Sequence, residues 1–401
     1  MEKKADLIVG VDIGTTKICV LIAKVKDKKI KIVGIGKTPS YGLSKGMVID
    51  IERTSHAIRK ALREAEFDAG LKVKQGWASI AGSHIEGKDH RGLIKIKKED
   101  KLITSKDKMR VLEDASRLTI APDRKIIHIL PWEFIIDGQD QIKEPIGMSG
   151  NLLEVRVYIV SAPFTYCQNI ENSIQKGGYE LEGIVLQSLA SSMSTLSREE
   201  KELGVVLLDI GGGTTDLAIF LEGGMRLTRV LTAGGNYLTN DIAVAFHTTR
   251  EMAERIKLKH GTASVNLVED DERIGIEKVA GRGNYTIARK DLTRVIQMRI
   301  DEIFELVDKE LRKSRFRQLI TAGVVITGGC SLLEGIKERA EEKLDLPIRI
   351  GYPQIDYPEK IVNPIYATAV GLILYGMKKK EEWAQREGKV VKIKEWFKHF
   401  F

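Results

Sequence analysis

Cysteine is scarce. Cys19, Cys167 and Cys330 are the only three, far apart and odd in number. That excludes a disulfide framework and fits a reducing cytoplasm. Long apolar runs are missing as well. No stretch approaches the ~20 residues a membrane-spanning helix needs. The opening Met-Glu-Lys-Lys-Ala-Asp lacks the apolar segment and small-residue cleavage site of a secretory signal. The seven histidines, among them His84, His90 and His128, show no metal-ligand spacing. There is no Gly-x-Ser-x-Gly nucleophile elbow. The body has no basic stretch interleaved with aromatics, so nucleic acid is not an expected partner.

What is present suits a soluble globular chain of several domains: 401 residues, 43% hydrophobic and 30% charged. The net charge of +8 is spread unevenly. Lys378 to Phe401 holds eight Lys or Arg against four Glu, half of the excess. This fits a basic tail better than a basic groove.

Hydrophobic periodicity gives strands at Leu7 to Val11, Ile18 to Val25 and Ile30 to Ile35. A helix follows from Asp50 to Phe67, ended by Gly70, and then a strand at Trp77 to Ala81. The texture changes over 84–161, which is rich in Lys and Asp and reads as an inserted subdomain. A helix at Phe164 to Gly177 and a strand at Leu181 to Val185 resume the first pattern. The second half then repeats the opening. Strand Gly204 to Leu208, the turn Asp209-Ile210-Gly211-Gly212-Gly213-Thr214-Thr215-Asp216 and strand Leu217 to Leu221 echo Leu7 to Val25 around Asp12-Ile13-Gly14-Thr15-Thr16. Thr228 to Thr232 continues as strand, and Gly234-Gly235 opens a helix. Helices are expected at Thr249 to Lys259, Lys290 to Lys313 and Pro364 to Gly376. Strands alternating with helices predict an α/β fold with mixed sheets, and the repeat predicts two lobes of common design.

Each turn supplies what a polyphosphate needs. Glycines let backbone N–H groups approach without a Cβ in the way, and threonine hydroxyls add donors. Asp12 and Asp209 would repel a phosphate directly, so their expected role is to hold Mg²⁺ through water. Two such turns facing each other would clamp a triphosphate and its metal. A third element, Val325-Ile326-Thr327-Gly328-Gly329, ends a strand in two glycines, which lets backbone lie flat against a base or sugar.

The end of the chain carries a different signal. Lys378 to Gly388 reads as a charged linker. On a helix from Lys389, Val390, Ile393, Trp396, Phe397, Phe400 and Phe401 gather on one side. Lys392 and Lys398 face away, and Lys394 flanks the apolar edge. Too short to span and too aromatic to leave in water, the segment is laid out as an interfacial helix for an anionic membrane surface.

With the three glycine elements in order, the chain resembles the actin, Hsp70 and sugar-kinase superfamily from Leu7 to Gly376. The resemblance implies an actin-like ATPase fold: two lobes with five-stranded sheets and ATP with Mg²⁺ between them. It implies nucleotide contacts by Asp12, Gly14, Thr15, Thr16 and Lys17 from the first turn. From the second come Asp209, Gly211, Gly212, Gly213, Thr214 and Thr215, with Gly234 and Gly235, then Gly328 and Gly329. Glu254 and Lys257 match a Glu-x-x-Lys that contacts the adenosine, or form a plain i,i+3 ion pair. Gln187 stands where actins orient the attacking water, or is a structural helix start. A neutral amide is a poor base, so any hydrolysis is expected to be slow.

The position of the insertion, after the helix and the Trp77 strand, resembles the FtsA family of bacterial division proteins. So do Asp50-Ile51-Glu52, Asn363-Pro364-Ile365-Tyr366-Ala367 and the terminal helix. That resemblance implies a first-lobe core over 1–83 and 162–195, with an inserted 1C subdomain over 84–161. It implies a second-lobe core over 196–226 and 301–377, a 2B subdomain over 227–300, a linker over 378–388 and a membrane helix over 389–401. It further implies filaments of the chain itself, binding of the FtsZ C-terminal tail, later division partners, and the cytoplasmic face of the membrane at the septum. Lys290, Arg294 and Arg299 are candidates to meet that tail. The rivals are a sugar kinase, for which no acceptor-activating aspartate stands out, a chaperone ATPase, which would need a substrate domain, and the pilus-assembly protein PilM, whose membrane link is a partner.

Overall fold

The computed structural model describes residues 6–27, 29–97, 101–117, 121–277, 284–354 and 361–387. Two five-stranded sheets dominate. In the first lobe the order is Lys29–Pro39, Lys17–Lys26, Asp6–Ile13, Gln75–Ile80, Glu180–Leu186. In the second it is Gly224–Leu231, Thr215–Leu221, Val205–Ile210, Val324–Thr327, Ile348–Ile350. Taken in chain order the two sheets have one topology. The first three strands of each form an antiparallel meander, and the last two add in parallel beside the first. The inner strands are near-continuous runs of Val, Ile and Leu, as burial on both faces demands.

Helix Ile51–Ala69 covers one face of the first sheet. Asp50 caps it by accepting the Arg53 N–H, and Gly70 ends it in the left-handed region at φ 64°. Ile58, Ala61, Leu62 and Ala65 form its buried stripe. Its carboxylates also blunt the edge strand, since Asp68 and Glu64 accept the N–H groups of Ile35 and Lys37 at 2.9 and 3.1 Å.

Helix Ala367–Glu387 covers the other face. Two expectations change here. Its apolar residues, among them Ala369, Val370, Leu372 and Ile373, pack with Ile8, Leu21 and Ala23 of the first sheet, so 361–377 returns to the first lobe and does not join the second. The helix also continues through most of the stretch expected as linker. Lys, Glu, Gln and Arg are good helix formers, and Trp383 packs on Trp77 at 6.1 Å. The expected membrane residues Val390, Lys392, Ile393, Lys394, Trp396, Phe397, Lys398, Phe400 and Phe401 lie outside the described residues.

The insertion is a four-stranded sheet ordered Glu86–Lys95, Leu152–Pro163, Arg124–Ile136, Gln139–Ile142. Helix Ser105–Ser116 packs on it around a core that includes Val111, Phe134, Leu153 and Val155. The subdomain touches both lobes. His128 Nε2 accepts the Leu186 N–H at 3.0 Å, at the end of a first-lobe strand. Across the divide, the Tyr158 hydroxyl accepts the Thr228 N–H at 2.8 Å, and the Arg226 guanidinium lies 3.2 Å from the centre of the Trp132 ring.

In 227–300, helices Gly235–Ala245 and Arg250–His260, the hairpin Arg273–Glu277 with Asn284–Ala288, and the start of helix Arg289–Lys313 share one core with the second sheet.

Candidate functional site

The two glycine turns close alike. Gly14 N–H donates to Lys17 C=O at 3.0 Å, and Gly211 N–H to Thr214 C=O at 2.9 Å. They also face each other. A Cβ at Gly213 would stand 2.6 Å from Thr15 Oγ1, and one at Gly212 would overlap the Thr16 hydroxyl. Above them a cleft of about 470 Å³ separates the lobes. Asp12, Gly14, Thr15, Thr16 and Lys17 line it from one side, and Asp209, Gly211, Gly212, Gly213 and Thr214 from the other. Gln187, Gly235, Glu254, Lys257, Gly328 and Gly329 also line it. Two expected residues do not. Thr215 is wholly buried and donates to Ala233 C=O at 2.8 Å. Gly234 backs onto the turn, where its Cβ would meet the Gly211 and Gly212 carbonyls at 2.6 and 2.9 Å.

Each aspartate is fixed by hydroxyls. Ser79 Oγ accepts the Ile13 N–H at 2.9 Å and donates to Asp12 Oδ1 at 3.1 Å. Asp209 Oδ2 accepts from Ser191 at 2.6 Å, Thr368 at 3.2 Å and the Gln187 amide at 3.3 Å. Its other oxygen faces Gly328, whose φ of 83° and lack of a Cβ both matter, since a Cβ would collide with that oxygen. Burial holds the Asp12 carboxyl above the usual carboxylate range, Lys17 opposes this, and the Asp209 charge adds to it. Behind them, burial and the Asp209 charge push Asp216 up to about 8, and one of its oxygens accepts the Thr214 hydroxyl at 3.0 Å.

Two mutually repelling carboxylates at a polyphosphate-sized cleft suit a divalent cation. Among the described residues no cluster of three or more His, Cys, Asp or Glu is placed to hold one directly. Phosphate oxygens and water would complete its shell, with Asp12 and Asp209 as the protein's side of it. Lys17, which lines the cleft, donates to Ile365 C=O at 2.5 Å and lies 3.6 Å from Asp12 Oδ2.

Glu254 and Lys257 are both an ion pair and cleft residues. Lys257 Nζ reaches Glu254 at 2.7 Å, the Thr239 hydroxyl at 2.9 Å and Gly235 C=O at 3.1 Å. Beside them Leu258, Gly261, Leu332 and Leu333 form an apolar slot that could take a flat base, with Leu258 76% and Leu332 49% exposed. Ser79, Ser191, Thr368 and this slot were not found from sequence, because isolated Ser, Thr and Leu residues carry no spacing signal. The three basic residues in the 2B region are already paired: Lys290 with Asp270, Arg294 with Asp291 at 2.7 Å, and Arg299 with Asp241 at 2.6 and 3.0 Å. Arg299 is thereby tied down by a two-pronged pair, whereas the exposed pairs of Lys290 and Arg294 exchange cheaply.

Two lobes of one topology, each turning a Gly-Thr hairpin into a shared cleft, define an actin-like ATPase fold. Solved structures agree at the level of fold: the "PilM-PilN type IV pilus biogenesis complex" (TM-score 0.67, 17% identity, covering 92% of this chain and 98% of that one) and MreB5 of Spiroplasma citri bound to ADP (TM-score 0.59, 14% identity, 94% and 98%). The profile described as "Cell division protein FtsA" matches residues 206–371, and that of the "SHS2 domain inserted in FTSA" matches residues 82–161. Curated FtsA proteins are 42% identical in Pseudomonas aeruginosa (94% of this chain, 90% of that one), 40% in Neisseria meningitidis (98% and 96%) and 34% in Escherichia coli (96% and 93%). The chain belongs to the FtsA family of cell division proteins.

Proposed function

We propose that this chain binds Mg-ATP between its lobes, assembles into filaments with copies of itself, and anchors FtsZ to the cytoplasmic face of the membrane at the division site. The observation that carries the reading is the opposed pair of glycine hairpins, with Asp12 and Asp209 behind them, in a chain of this family. Gln187 spends its amide on Asp209 at 3.3 Å, which favours a site that holds nucleotide over one that turns it over quickly. MreB5 of Spiroplasma citri is bound to ADP in one structure and to AMPPNP in another, which supports a nucleotide in a cleft of this architecture. The aromatic and basic residues after Lys389 supply the membrane anchor, and the FtsZ tail docks on the 227–300 region, where Lys290 and Arg294 can exchange partners.

The test is sedimentation of the full chain, and of a version ending at Gly388, with anionic vesicles, with and without Mg-ATP and with an FtsZ C-terminal peptide. Tail-dependent pelleting, nucleotide-dependent filaments on the lipid and co-sedimentation of the peptide are expected. Pelleting unaffected by removal of the tail would end the anchoring part of the reading.

A further inference from the structure

One end of the first lobe carries a concentration of positive charge that the cleft does not use. The hairpin joining strands Lys17–Lys26 and Lys29–Pro39 has five lysines against one aspartate over residues 24–31. Its register sets Lys24 opposite Lys31 and Lys26 opposite Lys29. Side chains alternate along a strand, so these four share one face. All four are exposed. Like charges directly opposite one another destabilise a hairpin. Among the described residues, Lys24, Lys29 and Lys31 have no carboxylate partner. The other face of the same hairpin is ordinary core, with Ala23, Val25, Ile30 and Ile32 packed among the terminal-helix residues. The lysine face is therefore a feature added to a sound hairpin.

The terminal helix leads to the same end of the lobe. It runs antiparallel to strand Asp6–Ile13: Leu372 sits against Gly10, Gly376 against Ile8, and Lys380 Nζ donates to Leu7 C=O at 2.7 Å. Asp6 pairs with Val25, so the helix leaves the sheet at the hairpin end. The chain after Glu387, with its aromatic and basic residues, thus starts at the hairpin end of the sheet, across the sheet from the four lysines.

We infer that the Lys24, Lys26, Lys29 and Lys31 face is a second bilayer contact, seated on the phosphates of anionic phospholipid, which orients the body with this end toward the membrane. The inference rests on the tail being a membrane anchor. The tail supplies apolar insertion, and the hairpin supplies charge at a fixed place on the rigid body. Two points of attachment fix an orientation where one does not, and tethering by one raises the effective concentration of the other.

The experiment is flotation with vesicles of phosphatidylcholine alone and of phosphatidylcholine with phosphatidylglycerol. It compares the full chain, Lys24→Gln/Lys29→Gln/Lys31→Gln, the matching triple Arg variant and a version ending at Gly388. A lysine at an anionic surface contributes about fivefold in binding. The Gln variant should bind phosphatidylglycerol vesicles at least about tenfold more weakly at low salt, with the difference shrinking at high salt. The Arg variant should bind like the parent. The Gln variant should melt no lower than the parent, since cross-strand repulsion is relieved, which separates lost contact from lost folding. Unchanged binding of the Gln variant to phosphatidylglycerol vesicles, with the version ending at Gly388 unbound, would overturn the hairpin contact and leave the anchor standing. Equal binding of the full and shortened chains would overturn the anchor instead.

Discussion

Gly213→Ala tests the opposition of the two hairpins. The new Cβ would lie 2.6 Å from Thr15 Oγ1, 2.9 Å from its Cγ2 and 3.0 Å from its Cβ. Ordinary contacts between such atoms fall at about 3.5 Å or more. Because all three side-chain atoms are too close, no rotation of Thr15 clears the clash, and the hairpins must part by roughly 0.5–1 Å. Overpacking of this kind costs about 1–3 kcal/mol. If Mg-ATP bridges the two turns, much of that appears as lost affinity, a fall of about tenfold to a hundredfold by calorimetry. Thr15→Ala removes Oγ1 and Cγ2 and loses a hydroxyl donor to a charged oxygen, a fall of about tenfold or somewhat more. In the double variant the clash is mostly gone. It should therefore resemble Thr15→Ala alone and not the product of the two single effects. Multiplying effects, or a Gly213→Ala chain that binds within twofold of the parent, would refute the geometry.

Gly328→Ala should lower stability by about 1–3 kcal/mol in urea and abolish tight nucleotide binding, because a left-handed backbone is filled and Asp209 is displaced. Arg226→Ala should loosen the insertion from the second lobe, raising protease cleavage within 84–161 and costing about 0.5–2 kcal/mol through the lost stack on Trp132. His128 is held neutral by burial, with Lys379 adding to this, and its folded value is lowered to about 3. A depressed histidine contributes stability that is present above its unfolded value of about 6.5 and lost as pH falls below it, by up to about 1.4 kcal/mol per pH unit. Denaturation at pH 7 and pH 5 should show that loss in the parent, and His128→Gln should reduce it.

The strands and both glycine turns were readable because each is a short apolar run broken by Gly and Thr, a pattern that local chemistry alone requires. Repetition made the two lobes readable as well. Long-range partnerships left no such mark. Ser79 reaches Asp12 across 67 positions and Thr368 reaches Asp209 across 159, and neither residue stands in any periodic pattern. The terminal helix reads as buried without showing against what, and chain order alone puts it with the lobe before it. Its charged last turns read as linker because Lys and Glu serve both. Thr214 ends the turn and lines the cleft, whereas Thr215 opens the strand and is buried with its hydroxyl on Ala233 C=O.

The account turns on one nucleotide held between two hairpins. Calorimetric titration of the full chain with ATP, in Mg²⁺ and in EDTA, and of Asp209→Asn beside it, examines that directly. The account predicts saturable binding of one ATP per chain, weakened without Mg²⁺ and further in Asp209→Asn. Binding that is absent, or indifferent to both the cation and Asp209, would contradict it.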